Sequence, residues 1–141
     1  MSTIFRSDSR GLGAGITAKA LHNHGLNVSA VEIDPVVHRF AEQYFGMPKL
    51  RGVVSHSDGR AFVEKAKEKW DYIIHDVFSG GFVPQHLFTV EMWISIRKKL
   101  AQNGILVVVI PLSTSEIDLE YGWGVGRFVD QGGYYDVTIY L

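Results

Sequence analysis

Two patterns of apolar and polar residues take turns along this chain. Short runs of consecutive apolar residues, such as Tyr72-Ile73-Ile74 and Ile105 to Ile110, read as buried strands. Between them, apolar residues recur at helical spacing, bounded by capping residues and glycines. Residues 14–24 predict a helix with Gly25 as its C′ residue, and Asn27 to Ile33 predicts a strand. Asp34 then stands as N-cap with Pro35 in the first turn, opening a helix that puts Val36, Val37, Phe40, Ala41 and Tyr44 largely on one side and ends at Gly46. Gly52 to His56 predicts a short strand. Asp58 caps a helix reaching about Lys69, with Phe62, Val63 and Ala66 inward, and Asp71 to Val77 is the next strand. After a loop containing Ser79-Gly80-Gly81, Thr89 caps a helix running to about Gln102. Asn103-Gly104 predicts a turn, and Ile105 to Ile110 a strand.

This strand–helix alternation predicts an α/β fold: a Rossmann-like, doubly wound, mainly parallel sheet with helices on both faces. Both ends depart from the pattern. The glycine-rich turn at Gly11 follows Arg6-Ser7-Asp8-Ser9-Arg10, with only Ile4 and Phe5 as apolar precedents, so the first strand reads as weak or missing and the sheet as incomplete. The expected organisation is an atypical segment over 1–10, a Rossmann-like core over 11–112 and a glycine- and aromatic-rich tail over 113–141. In that tail, Arg127 to Val129 and Tyr135 to Leu141 flank a Gly-Gly pair and predict a β-hairpin.

The length of 141 residues suits one domain with one core, and the 46% hydrophobic and 21% charged content is that of an ordinary globular protein. The formal net charge of −1, with lysines 65, 67 and 69 interleaved with Glu64 and Glu68, disfavours a broad nucleic-acid footprint. Without cysteine there is no disulfide framework, no thiol nucleophile and no cysteine-ligated zinc. The longest apolar run ends at Pro111 and is too short to cross a bilayer, and the amino terminus carries no signal-peptide pattern. The expectation is a soluble cytoplasmic protein with no membrane partner.

The candidate chemistry is concentrated in a few places. Gly11-Leu12-Gly13-Ala14-Gly15 forms a glycine-rich turn, and Glu32 follows Gly11 by 21 residues at the end of an apolar run. That spacing belongs to a strand–turn–helix–strand unit whose backbone approaches a nucleoside closely and whose acid accepts from ribose hydroxyls. The triplet is Gly-x-Gly-x-Gly, since position 16 is Ile, which disfavours nicotinamide or flavin; no phosphate-gripping loop is present either. Asp58-Gly59 follows the third strand, at the same carboxyl edge, where the carboxylate can accept from a base amino group or simply cap a helix. Asp76 ends the fourth strand and can hold a cation or take a proton from an amine. His75 points to the opposite face and reads as a packing residue. None of the six histidines shows metal-ligand spacing.

Together with Trp70-Asp71-Tyr72-Ile73-Ile74-His75-Asp76-Val77-Phe78 and Pro84-Gln85-His86-Leu87-Phe88-Thr89, these motifs make the chain resemble the spermine/spermidine synthase family, the polyamine aminopropyltransferases, within the class I S-adenosylmethionine-dependent methyltransferase fold. The resemblance runs from about Gly11 to Val109. It implies that Gly11, Gly13, Gly15 and Glu32 hold the nucleoside of S-adenosylmethionine or its decarboxylated form, that Asp58 and Gly59 contact the adenine, and that Asp76 is catalytic. It further implies aminopropyl transfer to an amine acceptor and a homodimer. The family's second aspartate, three residues after the catalytic one, is replaced by Ser79, which weakens the polyamine reading and leaves methyl transfer open. A truncated, non-catalytic remnant of such an enzyme is the remaining expectation.

Overall fold

The computed structural model describes residues 2–6, 12–77, 84–109, 124–130 and 133–140. Seven strands form one sheet: β1 (Ser2–Arg6), β2 (Asn27–Val31), β3 (Val54–Ser55), β4 (Trp70–Asp76), β5 (Leu100–Val109), β6 (Gly124–Asp130) and β7 (Gly133–Tyr140), in the order β3-β2-β1-β4-β5-β7-β6. Every neighbouring pair is parallel except β6 with β7. Among the described residues four helices lie between successive strands from β1 to β5: α1 (Ile16–Asn23), α2 (Pro35–Phe45), α3 (Gly59–Lys65) and α4 (Val90–Lys99). A 3-10 turn over Gln85–Leu87 precedes α4.

The sheet corrects one expectation. The first strand is neither missing nor marginal in position: Ser2–Arg6 lies between β2 and β4, with Arg6 level with both Val31 and His75. Its sequence hides this because only two consecutive residues, Ile4 and Phe5, are strongly apolar. The backbone ladders on both sides define the strand where side-chain patterning does not. The C-terminal hairpin is present, and β7 joins it to β5.

Helix ends follow local chemistry. Asp34 accepts from the Val36 amide at 2.8 Å, Asp58 from Ala61 at 2.8 Å and Thr89 from Met92 at 3.3 Å, each satisfying an amide that the first turn leaves open. At the other end of α2, Gly46 takes the left-handed conformation that favours glycine. The helix expected to reach Lys69 ends at Lys65, where Ala66 turns to extended backbone. The Lys99 ammonium donates to the Ala66 carbonyl and closes that end. The turn expected at Asn103-Gly104 is an irregularity inside β5. Trp70 pairs with Leu100 but Tyr72 with Ile105, and the extra residues are accommodated with Asn103 at φ 61°.

The core has two halves, one on each face of the sheet. Leu12, Ala18, Val28, Ala30, Ala41 and Met47 pack on the face covered by α1 and α2. Val31, Val63, Trp70, Ile73, Met92 and Ile96 pack on the face covered by α3 and α4. Alternation along the strands does the sorting: Ala30 and Val31, or Ile73 and Ile74, are neighbours in sequence yet belong to opposite faces.

Candidate nucleoside-binding and transfer site

The chain leaves β1 toward β2 on one side, while β4 lies on the other. The order therefore reverses at β1, and the crevice of a doubly wound sheet opens beyond the carboxyl ends of such strands. Glu32 directly follows β2 and Asp76 ends β4. Because Arg6 is level with Val31 and His75, both carboxylates stand one residue beyond Arg6, with β1 between them. Two strand spacings, roughly 10 Å, separate their backbones.

The turn after β1 is tight. The Gly15 amide donates to the Leu12 carbonyl at 2.6 Å, and Gly13 and Gly15 have φ values of 47° and 71°. Both conformations are ones that side chains with a Cβ seldom adopt. Gly15 is buried, and a Cβ there would come within 2.5 Å of the Met47 sulfur. The geometry thus demands glycine at 15 for packing and conformation. Gly11 lies outside the described residues, as does the Ser79-Gly80-Gly81 loop.

Glu32 is completely buried. Its Oε1 accepts from the Asp34 amide at 3.0 Å, and its own amide donates to the Ser55 carbonyl at 3.0 Å. The side chain is therefore folded over the start of the β2–α2 turn and fixed beside the end of β3. Ile33, the next residue, is 43% exposed and offers an apolar surface at the same edge.

Asp58 uses its two oxygens differently. Oδ1 caps α3 through Ala61, and Oδ2 lies 3.2 Å from Nε2 of His86 in the 3-10 turn. Gly59, the first residue of α3, is buried beside it. The capping role of Asp58 is legible in the sequence but its histidine partner is not, because the contact spans 28 residues and no local spacing announces it.

Asp76 is half-buried, and desolvation raises its carboxyl above the usual aspartate range. A carboxylate held in that state binds a proton more readily than one in water, which suits a proton acceptor. His75 faces the other way and is fully buried. Phe88 and Trp93 meet its ring edge-on, with centroids 4.9 and 5.0 Å away.

Two histidines meet near the same edge. His38 Nδ1 and His56 Nε2 are 3.0 Å apart, with ring centroids 5.1 Å apart. The nitrogens sit close to the line joining the rings, so one ring donates to the lone pair of the other. This contact ties α2 to the segment after β3. Among the described residues no group of three or more histidine, aspartate or glutamate side chains is placed to hold a metal ion. No helix among them is long and apolar enough to cross a membrane.

The strand order and this carboxyl-edge arrangement define a Rossmann-like domain of the class I methyltransferase type. Residues 11–119 match the spermine/spermidine synthase domain, and the chain belongs to that family. It is 42% identical over 103 residues to an N-terminal histidine N-methyltransferase of Emericella nidulans, covering 70% of this chain and 18% of that protein. It is 35% identical over 103 residues to a polyamine aminopropyltransferase of Vibrio vulnificus, covering 69% and 34%. Human methyltransferase-like protein 13, solved in complex with SAH, shares the fold: TM-score 0.64 at 22% identity, over 75% of this chain and 52% of that one. The chain spans about a fifth to a third of the curated relatives it matches.

Proposed function

We propose that this chain is the co-substrate-binding and transfer core of an S-adenosylmethionine-dependent transferase acting on a nitrogen nucleophile, with methyl as the group transferred. The observation that carries the reading is the desolvated Asp76 carboxylate at the end of β4, level with Glu32 across β1. In the proposed arrangement the glycine turn and Glu32 hold the ribose, and Asp58 with Gly59 faces the adenine. The sulfonium then projects toward Asp76. The nitrogen lone pair attacks the methyl carbon as the carbon–sulfur bond breaks, and S-adenosylhomocysteine leaves with the bonding pair. The proton shed by the nitrogen passes to Asp76. The cationic sulfonium is already a good leaving group, so the protein's contribution is orientation and proton removal.

Two features favour methyl over aminopropyl transfer. Ser79 stands where the family's polyamine-gripping second aspartate is expected, and a cationic polyamine needs more than one anion to replace its hydration. The relative at 42% identity is also named for methyl transfer to nitrogen. Aminopropyl transfer is the second reading, favoured by the family match and by the aminopropyltransferase relatives. There an amine attacks the propyl carbon beside sulfur, and methylthioadenosine leaves.

The products separate the readings. The purified chain, given S-adenosylmethionine or its decarboxylated form with a peptide amine or a diamine, is analysed for released nucleoside. S-adenosylhomocysteine supports the methyl reading, and methylthioadenosine formed with the diamine supports the other. If neither forms, and neither co-substrate raises the melting temperature, the domain is a non-catalytic remnant.

A further inference from the structure

We propose that His86 is a positioning residue for base recognition: it holds the outer oxygen of Asp58 and so fixes the direction in which that carboxylate accepts a hydrogen bond from the ligand. The inference rests on the reading above that Asp58 faces an adenine.

A carboxylate at a helix N-cap is held by one oxygen only and can swing about that contact. Here Oδ1 is committed to the Ala61 amide at 2.8 Å, and Oδ2 meets His86 Nε2 at 3.2 Å. An ionised carboxylate only accepts, so Nε2 carries the hydrogen in this contact. Donors from two elements, α3 and the 3-10 turn, thus set the plane of one carboxylate.

The donor is itself anchored. Leu87, next in sequence, is fully buried, the Leu87 amide donates to the Pro84 carbonyl at 3.0 Å, and the turn packs against α3. The His86 side chain is half exposed, at 52%, and Asp58 is partly exposed, so their contact is made at the surface and not in the core.

An oriented carboxylate discriminates by hydrogen-bond sense. It accepts from the 6-amino group of adenine and opposes the 6-oxo group of hypoxanthine. The test compares binding of S-adenosylhomocysteine and its 6-oxo (inosyl) counterpart, by calorimetry, to the unaltered chain, His86→Ala and His86→Gln. Hydrogen bonds to charged groups are large enough that losing the orientation should reduce the preference for the amino form roughly tenfold in His86→Ala. Glutamine can place an amide N–H near the position of Nε2, and His86→Gln should restore most of the preference. Thermal melts of all three report any loss of fold separately.

A preference unchanged or increased in His86→Ala, with the fold intact, overturns the inference while leaving the nucleoside site standing. Tighter binding in that variant would mean that the imidazole competes with the ligand instead of orienting its acceptor. If the unaltered chain binds the amino form no better than the oxo form, the assignment of Asp58 to the base fails, and this inference fails with it. Should the variants fail to fold, the imidazole nitrogen shifts of the unaltered chain, followed by NMR, decide: S-adenosylhomocysteine should move the His86 signal, and an unmoved signal counts against the role.

Discussion

Gly15 and Met47 are fitted to each other: the space a Cβ would need at 15 is filled by the Met47 side chain, whose sulfur, γ-carbon and β-carbon lie 2.5, 2.8 and 3.0 Å from that point. The two residues are 32 apart in sequence, one ending the glycine turn and the other just beyond α2. The third glycine of the motif therefore has a packing reason to exist, whatever it does for a ligand.

Gly15→Ala should accordingly destabilise the fold by about 2–4 kcal/mol, combining a left-handed conformation at an alanine with overpacking against Met47. Adding Met47→Ala should recover the packing share but not the conformational share. Chemical denaturation of the two single variants and the double variant measures this coupling. Strictly additive effects would mean that the two residues do not constrain each other.

Asp58→Ala should lower stability by about 1 kcal/mol through loss of the α3 cap, whereas Asp58→Asn should retain most of it by keeping a side-chain oxygen for the Ala61 amide. The proposed base contact separates the variants differently. Asparagine presents a donor as well as an acceptor, so it should blunt the preference for a 6-amino base even where the fold is intact. Melting temperatures and paired binding measurements resolve the two roles.

Much of this framework is legible in the sequence because its causes are local. Asp34-Pro35, Asp58 and Thr89 announce helix starts through chemistry confined to one turn, and the apolar run in β4 announces a covered strand. Strand β1 is poorly legible because its place depends on ladders to β2 and β4, partners far along the chain. The irregularity in β5 looks like an ordinary turn at Asn103-Gly104 because only its pairing with Trp70 and Tyr72 reveals that the strand continues through it. The same limit applies to the site. The acids can be found by their spacing, but the fit of Met47 on Gly15 and the contact of His86 with Asp58 arise only on folding.

Glu32→Gln and Glu32→Ala should differ in kind. Glutamine keeps an oxygen that can accept from the Asp34 amide, so the β2–α2 turn and the fold should survive. It lacks the charge that strengthens hydrogen bonds from ribose hydroxyls, and binding of S-adenosylhomocysteine should weaken by about tenfold. Alanine removes both functions and opens a buried space, so it should also lower the melting temperature. Equal affinity in the glutamine variant would show that Glu32 serves the turn and not a ligand.

Asp76 offers a test in which activity and stability should move in opposite directions. Burial raises its folded-state pKa above that of the unfolded chain. At acid pH the group is neutral in both states and ionisation imposes no penalty on folding. As pH rises, the unfolded chain ionises first and gains solvation that the half-buried carboxylate lacks. The stability present at low pH is therefore lost as pH climbs through the raised folded-state pKa. Asp76→Asn removes the ionisation while keeping nearly the same shape. It should melt higher than the unaltered chain near neutral pH, and the advantage should disappear below about pH 4, where aspartate is protonated in both states. The same substitution should abolish group transfer while leaving S-adenosylhomocysteine binding nearly unchanged, because it removes the proton acceptor and not the proposed nucleoside contacts. A variant that is stabilised near neutral pH yet still turns over would assign the buried carboxylate to architecture. One that loses transfer without gaining stability would mean that the charged form of Asp76 is held by contacts that offset its desolvation.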